Sequence, residues 1–402
     1  MHVLFLEAYY GGSHRDFADG YREYSGHRIT IESMPARFWK WRMRGAALTF
    51  AHRLSPHPFD VVIATSMMSV ADLKSCWGAD CPPVLLYMHE NQIAYPVSDD
   101  DVFDLQYGFT EIASCLAAEN VLFNSLTHRD TYLRTLPAFI RRMPDFRLDW
   151  APEQIAAKSD VFHPGCRFSA RVSADPDARP GTSAVGVSAR GDSIDHQVPV
   201  ILWNHRWEFD KQPDVFFRAL YRLKDEGQDF RVIVAGEAFR DTPSIFDQAR
   251  TLLSAHILHF GYAHNKDAYT QLLAKSDIVV STAIQENFGI AVMEAMRFGC
   301  IPILPERLSY PEILPPAMHR QCLYEVPVSP AGKSAVDAEV DAVAHKLRDT
   351  LSMLQDSRQA ADVRSLRAQL QAHAAVFSWE RRAPLLDDIV SALAEQREDS
   401  SG

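Results

Sequence analysis

The stretch Ser281-Thr282-Ala283-Ile284-Gln285-Glu286-Asn287-Phe288-Gly289-Ile290-Ala291-Val292-Met293-Glu294-Ala295-Met296 decides how the chain folds and where its chemistry sits. An apolar run, Ile278–Thr282, reads as a buried strand. A short polar loop follows, then apolar residues at helical spacing from Gly289 to Phe298, with Gly299 ending the helix. Gly289 allows close backbone approach, and free N–H groups in a first helical turn can hold phosphate oxygens. Glu286 lies in the loop and Glu294 inside the helix, roughly 7–8 Å along the axis from Gly289 at ~1.5 Å per residue. That offset suits a diphosphate followed by a ribose, with one carboxylate on a sugar and the other on a nucleoside. Two bare glutamates at this spacing are more often a loop and a helix-surface residue. Placement after a strand, with Phe288-Gly289 between them, reverses that balance.

The same alternation extends both ways. Downstream and upstream of the stretch, strands are predicted at Val200–Asn204, Phe230–Gly236, Ile257–Tyr262, Ile301–Leu304 and Cys322–Val326, with helices at Asp214–Glu226 and Asp267–Lys275 and a helical tail at Asp337–Glu395. In the first half the candidate strands are Val3–Ala8, Arg28–Met34, Val61–Ser66, Val84–Glu90 and Val121–Ser125, with helical spacing over Phe103–Ala118. Alternation of this kind means parallel sheets covered by helices. The pattern breaks at Ser169–Gln197, rich in Ser, Asp, Gly, Arg and Pro, which reads as an exposed loop or linker. The expected architecture is α/β, with two Rossmann-like doubly wound domains facing a cleft: 1–168, a linker 169–197, 198–376, and a C-terminal segment 377–402. Open α/β sheets bind ligands beyond the carboxyl ends of their strands, so the chemistry belongs in the loops just after strands.

Composition agrees. The chain has 402 residues, 47% hydrophobic and 23% charged, which excludes disordered, collagen-like and coiled-coil classes. No run approaches the ~18 apolar residues of a spanning helix. The N-terminal His2–Glu7 run reads as a strand rather than a secretory leader. The six cysteines form no CxxC pair, which argues against zinc ribbons and a disulfide framework and for a reduced, cytoplasmic protein. A net charge of −11 disfavours nucleic-acid binding over the whole surface, but not a local basic patch. Such a patch exists: Arg37 to Arg53 carries five Lys or Arg residues and no acid.

Several post-strand loops carry polar groups. Trp203-Asn204-His205-Arg206-Trp207-Glu208-Phe209-Asp210-Lys211 offers Arg206 and Lys211 as a fork and a point charge for a diphosphate, against the alternative of surface ion pairs. His259-Phe260-Gly261-Tyr262 could present backbone groups to a base edge. Tyr9-Tyr10-Gly11-Gly12-Ser13-His14 reads as a Gly-Gly turn into a helix capped by Ser13. His89-Glu90-Asn91-Gln92 places four polar residues after another strand, where His89 could bond a sugar hydroxyl, and Asn124-Ser125 closes a further strand end. Arg37, Phe38, Trp39, Lys40, Trp41, Arg42 and Arg44 combine phosphate-binding charge with rings able to stack on bases. Arg129, Arg134, Arg141, Arg142 and Arg147 form a second basic set. Asp99-Asp100-Asp101 follows no strand and reads as a solvated loop, so no metal site is expected. No Walker loop, G-x-S-x-G elbow or H-E-x-x-H occurs, and the first loop is not G-x-G-x-x-G, which argues against hydrolase, NTPase, zincin and dinucleotide dehydrogenase readings.

These residues resemble the retaining GT-B glycosyltransferases of family 4, on Glu286 and Glu294, the Arg206 and Lys211 pair, and Gly11-Gly12. By that resemblance Glu286 contacts the transferred sugar and Glu294 the nucleotide ribose. Arg206, Lys211, Gly11, Gly12, Gly261, Tyr262, Asn287, Phe288, Gly289 and Ile290 complete a donor site. Phe377-Ser378-Trp379 is similar to the point where the family's last helix crosses back to the first domain. A more specific resemblance covers most of the first domain. Glu7-Ala8-Tyr9-Tyr10-Gly11-Gly12-Ser13-His14, Met34–Arg42, His89-Glu90-Asn91-Gln92 with Tyr95-Pro96, Asp104–Gly108 and Phe123-Asn124-Ser125 are similar to the tRNA-queuosine α-mannosyltransferase family. It implies mannose transfer from GDP-mannose to queuosine in a tRNA-Asp-type anticodon, without a metal or other cofactor. Glu286, His89, Arg206 and Lys211 would be catalytic. Ser13, His14, Arg37, Trp39, Lys40, Trp41, Arg42, Arg44, His89, Glu90, Asn91 and Gln92 would face the acceptor. The competing readings are a family 4 enzyme with a lipid-linked or small sugar acceptor, and a non-catalytic nucleotide-sugar or RNA-binding protein.

Overall fold

The structure is a computed structural model that describes residues 1–94, 104–168, 198–238, 242–326 and 334–400. The 169–197 linker, Tyr95-Pro96 and Asp99–Asp101 lie outside the described residues. The chain forms two compact units, Met1–Arg167 with Phe377–Gly402, and Phe168–Val376.

In the first unit, β1 (His2–Tyr10), α1 (Gly12–Tyr24), β2 (Arg28–Pro35), α2 (Trp39–Arg53), β3 (Val61–Thr65), α3 (Val70–Trp77), β4 (Val84–Met88), α4 (Leu105–Ala117), β5 (Asn120–Phe123), α5 (Leu126–Ile140), α6 (Ala151–Ala156) and β6 (Ser159–Val161) alternate along the chain. Their parallel sheet has the order β2-β1-β3-β4-β5-β6. β3 and β4 are buried along their whole length, as expected when both faces of a parallel sheet are covered. Leu4, Leu6, Val62, Leu86 and Phe123 pack under α2–α5, while Phe5, Ile63, Leu85 and Leu122 face α1 and the C-terminal α15 (Trp379–Ser400).

α15 is an integral wall of this unit. The Cys166 N–H donates to the Phe377 carbonyl at 2.7 Å, and Asp387 accepts from the Tyr21 hydroxyl at 2.7 Å and the Gly26 N–H at 2.7 Å. The fully buried Trp379 indole lies between two glycines: a Cβ at Gly20 would come within 2.1 Å of it, and one at Gly165 within 2.2 Å. Only hydrogen at those positions leaves room for the ring.

The second unit repeats the theme with β7 (Val200–Trp203), α7 (Pro213–Asp225), β8 (Arg231–Ala235), α8 (Ile245–Leu252), β9 (Ile257–Gly261), α9 (Lys266–Lys275), β10 (Ile278–Val280), α10 (Ile290–Arg297), β11 (Ile301–Pro305), α11 (Tyr310–Ile313), α12 (His319–Cys322), β12 (Leu323–Tyr324), α13 (Ala335–Gln355) and α14 (Ala360–Ala374). Its strand order is β12-β11-β10-β7-β8-β9. The order reverses beside β7 and β10, so the loops after those strands meet at a switch point.

Some expectations need correction. The tail foreseen as one helical stretch from Asp337 to Glu395 is three helices, interrupted by single 3₁₀ turns at Ser357–Gln359 and Ala375–Phe377. The last strand spans only Leu323–Tyr324 rather than Cys322–Val326, and β6 was not foreseen. Ser13 does not cap α1: the N-cap is Gly11 and no side chain caps this helix. α10 starts at Ile290 because Gly289, at φ +96°, is its left-handed N-cap.

Candidate active site

In the second unit two post-strand loops are stitched together. The Thr282 hydroxyl donates to the Lys211 carbonyl at 2.8 Å, and the Ile284 N–H donates to the Asp210 carbonyl at 2.8 Å. Arg307 holds the same loop from behind, donating to the carbonyls of Ala283 (2.9 Å) and Thr282 (2.9 Å) while its fork grips Glu339. On this frame Glu286 Oε1 accepts from the Gly289 N–H at 3.1 Å, and Oε2 lies 3.5 Å from Lys211 Nζ. Burial works to raise the Glu286 carboxyl, but the Lys211 and His205 side chains and a backbone N–H outweigh it and hold it below the usual carboxylate range.

Lys211 is buried and committed: Nζ donates to the Gln285 carbonyl at 2.6 Å and pairs with Asp210 at 3.2 Å. It braces Glu286 at least as much as it offers charge to a ligand, a modification of the free point charge expected from sequence. Arg206 is half-exposed and pairs with Glu208 at 3.0 Å. Glu294, largely shielded, lies 4.0 Å from Lys266 on the first turn of α9. Asn204 donates to the Tyr269 hydroxyl at 2.9 Å and the Ala291 carbonyl at 2.9 Å, which fixes the start of α10 against β7. Gly261 stands at φ +133° with the exposed Tyr262 after it. Gly289 confronts Tyr310 and Ile313, each 3.4 Å from where a Cβ would sit. Asn287 accepts from Gln285 at 3.0 Å, the Phe288 carbonyl accepts from Ser309, and Ile290 opens the helix.

The first unit gathers a different set at the carboxyl ends of β1, β3 and β4. His14 is buried, with Nδ1 3.2 Å from each Glu7 oxygen and Nε2 3.0 Å from Glu90 Oε2. Burial alone would lower its pKa, but the two carboxylates outweigh it and raise it to about 10. The His89 ring lies on that of His14 with centroids 4.0 Å apart, and burial plus the His14 charge push its pKa well below the ordinary value. Glu7, His14 and His89 bring ligand-type atoms within 4.8 Å of one another. Both His14 nitrogens point at carboxylates and the His89 ring is tilted 30° over that of His14, which is ion-pair geometry rather than lone pairs converging on a cation.

Several residues expected to touch an acceptor have other partners. Asn91 is buried and its side chain accepts from the Ala94 N–H at 2.7 Å, while the Gln92 N–H donates to Glu111 at 2.8 Å. Gly11 approaches Ala36, where a Cβ would come within 2.5 Å, so its role is close packing; Gly12 at φ +51° and Ser13 are exposed. The basic segment divides by face. Trp39 is half-buried with its ring 5.0 Å from that of Tyr107, Arg42 reaches the Pro35 carbonyl at 3.3 Å, and Arg44 bonds Gln106. Arg37, Lys40 and Trp41 are exposed. Phe38 is also exposed, in left-handed backbone at φ 56° under the Arg37 guanidinium.

Sequence reasoning passed over Ser66, Glu111 and His128 in the first unit, and Lys266, Tyr269 and Arg307 in the second. The signal for Glu7 was present: a carboxylate inside an apolar strand needs a buried partner.

Comparison with known proteins fits this geometry. Residues 2–166 match the family described as tRNA-queuosine alpha-mannosyltransferase N-terminal, and residues 189–329 match glycosyl transferases group 1. A Drosophila melanogaster tRNA-queuosine alpha-mannosyltransferase is 37% identical over 318 residues, covering 78% of this chain and 82% of the relative. The chain belongs to the tRNA-queuosine alpha-mannosyltransferase family. It is a glycosyltransferase. A GDP-mannose-dependent alpha-(1-6)-phosphatidylinositol dimannoside mannosyltransferase of Mycobacterium tuberculosis is 26% identical over 189 residues, 47% of this chain and 43% of that protein. Among solved structures, sucrose-phosphate synthase from Thermosynechococcus elongatus (TM-score 0.68, 13% identity, 98% of this chain and 99% of that one) shares the GT-B fold. So does the catalytic domain of starch synthase IV from Arabidopsis thaliana (TM-score 0.68, 13% identity, 98% and 99%). Among the described residues no helix is long and apolar enough to cross a membrane.

Proposed function

We propose that the enzyme transfers mannose from GDP-mannose, with retention of configuration, to queuosine in a tRNA-Asp-type anticodon, in the cytoplasm and without a metal. The observation that carries this reading is the 37% identity to the queuosine enzyme over most of both chains. The loop-and-helix glutamates support the donor half. In the proposed reaction the acceptor hydroxyl attacks from the face the diphosphate leaves, and the leaving diphosphate takes the proton. Arg206, Lys211 and the N–H groups beyond Gly289 meet the developing charge, so transfer should survive EDTA. Glu286 holds the sugar and His89 a sugar hydroxyl. The deciding experiment offers a panel of radiolabelled nucleotide sugars with queuosine-containing tRNA, the same tRNA carrying guanosine, and liposomes. Label from GDP-mannose should enter only the queuosine tRNA. Label in the lipid phase would favour the membrane-acceptor reading, for which exposed Phe38, Trp41 and Leu48 on and before α2 are the motivation.

Two further results are expected. Glu294→Ala should weaken GDP binding by about 1.5–3 kcal/mol in calorimetry, because a shielded carboxylate accepting ribose hydroxyls makes charge-assisted bonds. Unchanged affinity would remove α10 from the nucleotide site. Replacing Arg37, Lys40 and Arg44 by Gln should flatten the slope of log tRNA affinity against log salt by roughly two to three units if each meets a phosphate, at about 0.7–0.9 per charge. An unchanged slope in a variant with a normal melting curve would eliminate this face as the RNA arm.

A further inference from the structure

The Glu7–His14–Glu90 cluster does not balance its own charge. A neutral imidazole donates from one nitrogen only, yet both His14 nitrogens face carboxylates at 3.0–3.2 Å, so the imidazolium form satisfies the arrangement. Among the described residues, the other partners of the two carboxylates are neutral donors. The Tyr9 N–H (2.8 Å) and the Thr65 hydroxyl (3.1 Å) serve Glu7, and the Ser66 hydroxyl (2.7 Å) serves Glu90. Two carboxylates against one imidazolium leave one negative charge in excess.

Among the described residues, no group packed against the cluster repairs it. His89, from the end of β4, is held neutral by burial and by the His14 charge. His128, on α5, has its pKa lowered to about 4 by burial and sits within electrostatic reach of Glu90. Its Nδ1 bonds Asn124 Oδ1 at 2.8 Å, and the Asn124 amide is oriented by its own bond to the His89 carbonyl. His128 Nδ1 therefore carries the proton, and the buried Nε2 is an acceptor with no partner among the described residues. Its lone pair adds to the negative potential. Glu111, on α4, is acidic and supplies no positive charge. Among the described residues the ion pairs of Glu7 and Glu90 are those with His14. Glu7 is sealed, whereas the Glu90 side chain retains 19% of its exposure, so the excess charge is presented outward through Glu90. Uncompensated buried charge is costly, and this negative site lies on a unit that is to receive a polyanion.

We infer that Glu90, braced by Ser66 and the Glu7–His14 pair, is the seat of a cationic amine of the acceptor, the protonated secondary amine that links the cyclopentenediol of queuosine to its base. The inference rests on the queuosine reading above. One ammonium brings the cluster to neutrality, and the carboxylate has lone pairs left to accept its N–H groups. RNA phosphates are bound elsewhere; this edge selects the modified nucleoside from the unmodified one.

The test measures binding of one tRNA carrying either queuosine or guanosine, by the full-length wild type and by Glu90→Gln, together with GDP binding. The wild type should prefer the queuosine form, and Glu90→Gln should lose about 10–100-fold of that preference, the worth of one charge-assisted hydrogen bond. Affinity for GDP should stay unchanged, and affinity for the guanosine tRNA should hold or rise, since the variant removes a negative charge from a surface that meets a polyanion. A variant that keeps the full preference overturns the inference. Should Glu90→Gln fold poorly, the wild type decides alone. Its preference should fall about tenfold from about pH 6.5 to about pH 9, while His14 stays largely charged. The fall lies in that range because a secondary amine between an allylic carbon and a heteroaryl methylene, beside ring hydroxyls, titrates near the ~8 of an α-amino group rather than the ~10.4 of lysine. A flat preference over that range overturns the amine seat and leaves the queuosine reading intact. Absence of any preference or transfer with the wild type overturns both.

Discussion

Glu286→Gln is expected to lower kcat by ~10²–10³-fold, the usual cost of removing one preorganised electrostatic contact, while GDP affinity stays within about threefold. The expectation follows from how much of the second unit is arranged around this carboxylate. The Gly289 N–H fixes one oxygen at 3.1 Å and Lys211 faces the other at 3.5 Å. Arg307 clamps the two carbonyls upstream, so the group has little freedom to move. Glutamine keeps the shape and loses the charge. Its effect should fall on the transfer step, since the nucleotide is assigned to Glu294 and α10. Single-turnover rates at saturating donor and acceptor check this. A normal rate would show that the carboxylate serves only to brace the loop.

His14→Ala should destabilise the first unit by about 3–5 kcal/mol in urea unfolding, because it strands Glu7 and Glu90 without their shared cation. The pH dependence gives the effect a signature. The folded-state pKa is raised from the ordinary 6.5 to about 10. A raised pKa means that the folded form binds the proton more tightly than the unfolded one. The stabilisation is therefore complete below about pH 6.5 and is lost as pH climbs through about 10. The wild type should weaken across that window, and His14→Gln should lack that part of the slope. Parallel stability curves for the two proteins would show that His14 is not a buried cation.

Both sheets were legible because buried parallel strands read as apolar runs. Val61–Thr65 and Val84–Met88 have no polar alternation to confuse them with anything else. β6, Ser-Asp-Val at the sheet edge, offers a single apolar side chain and leaves no such trace. The glutamate pair was legible because a strand, a loop and a helix hold both residues within one short segment. The Glu7–His14–Glu90 contact joins positions 76 residues apart, and the Gln92–Glu111 bond joins two elements that only the sheet brings together. Periodicity carries no information about such pairings. It also cannot tell which face of α2 turns inward, and so Trp39 and Trp41 looked alike although one packs on Tyr107 and the other is 75% exposed.

Trp379 and α15 impose an order on biosynthesis. A ribosome that has released Arg167 must still make about 210 residues before the wall of the first unit emerges, roughly 10–40 s at about 5–20 residues per second. Throughout that interval Phe17, Tyr21 and Tyr87, which end up against the indole or its neighbours, have no cover on that side. The second unit has all of its own strands and helices by Val376 and can close first. The nascent N-terminal half is thus a client for holding factors during synthesis, and a nonsense codon early in the last helix, before Ala383, Leu386, Val390 and Leu393 are made, leaves a complete second unit tethered to an unfinished, sticky first one.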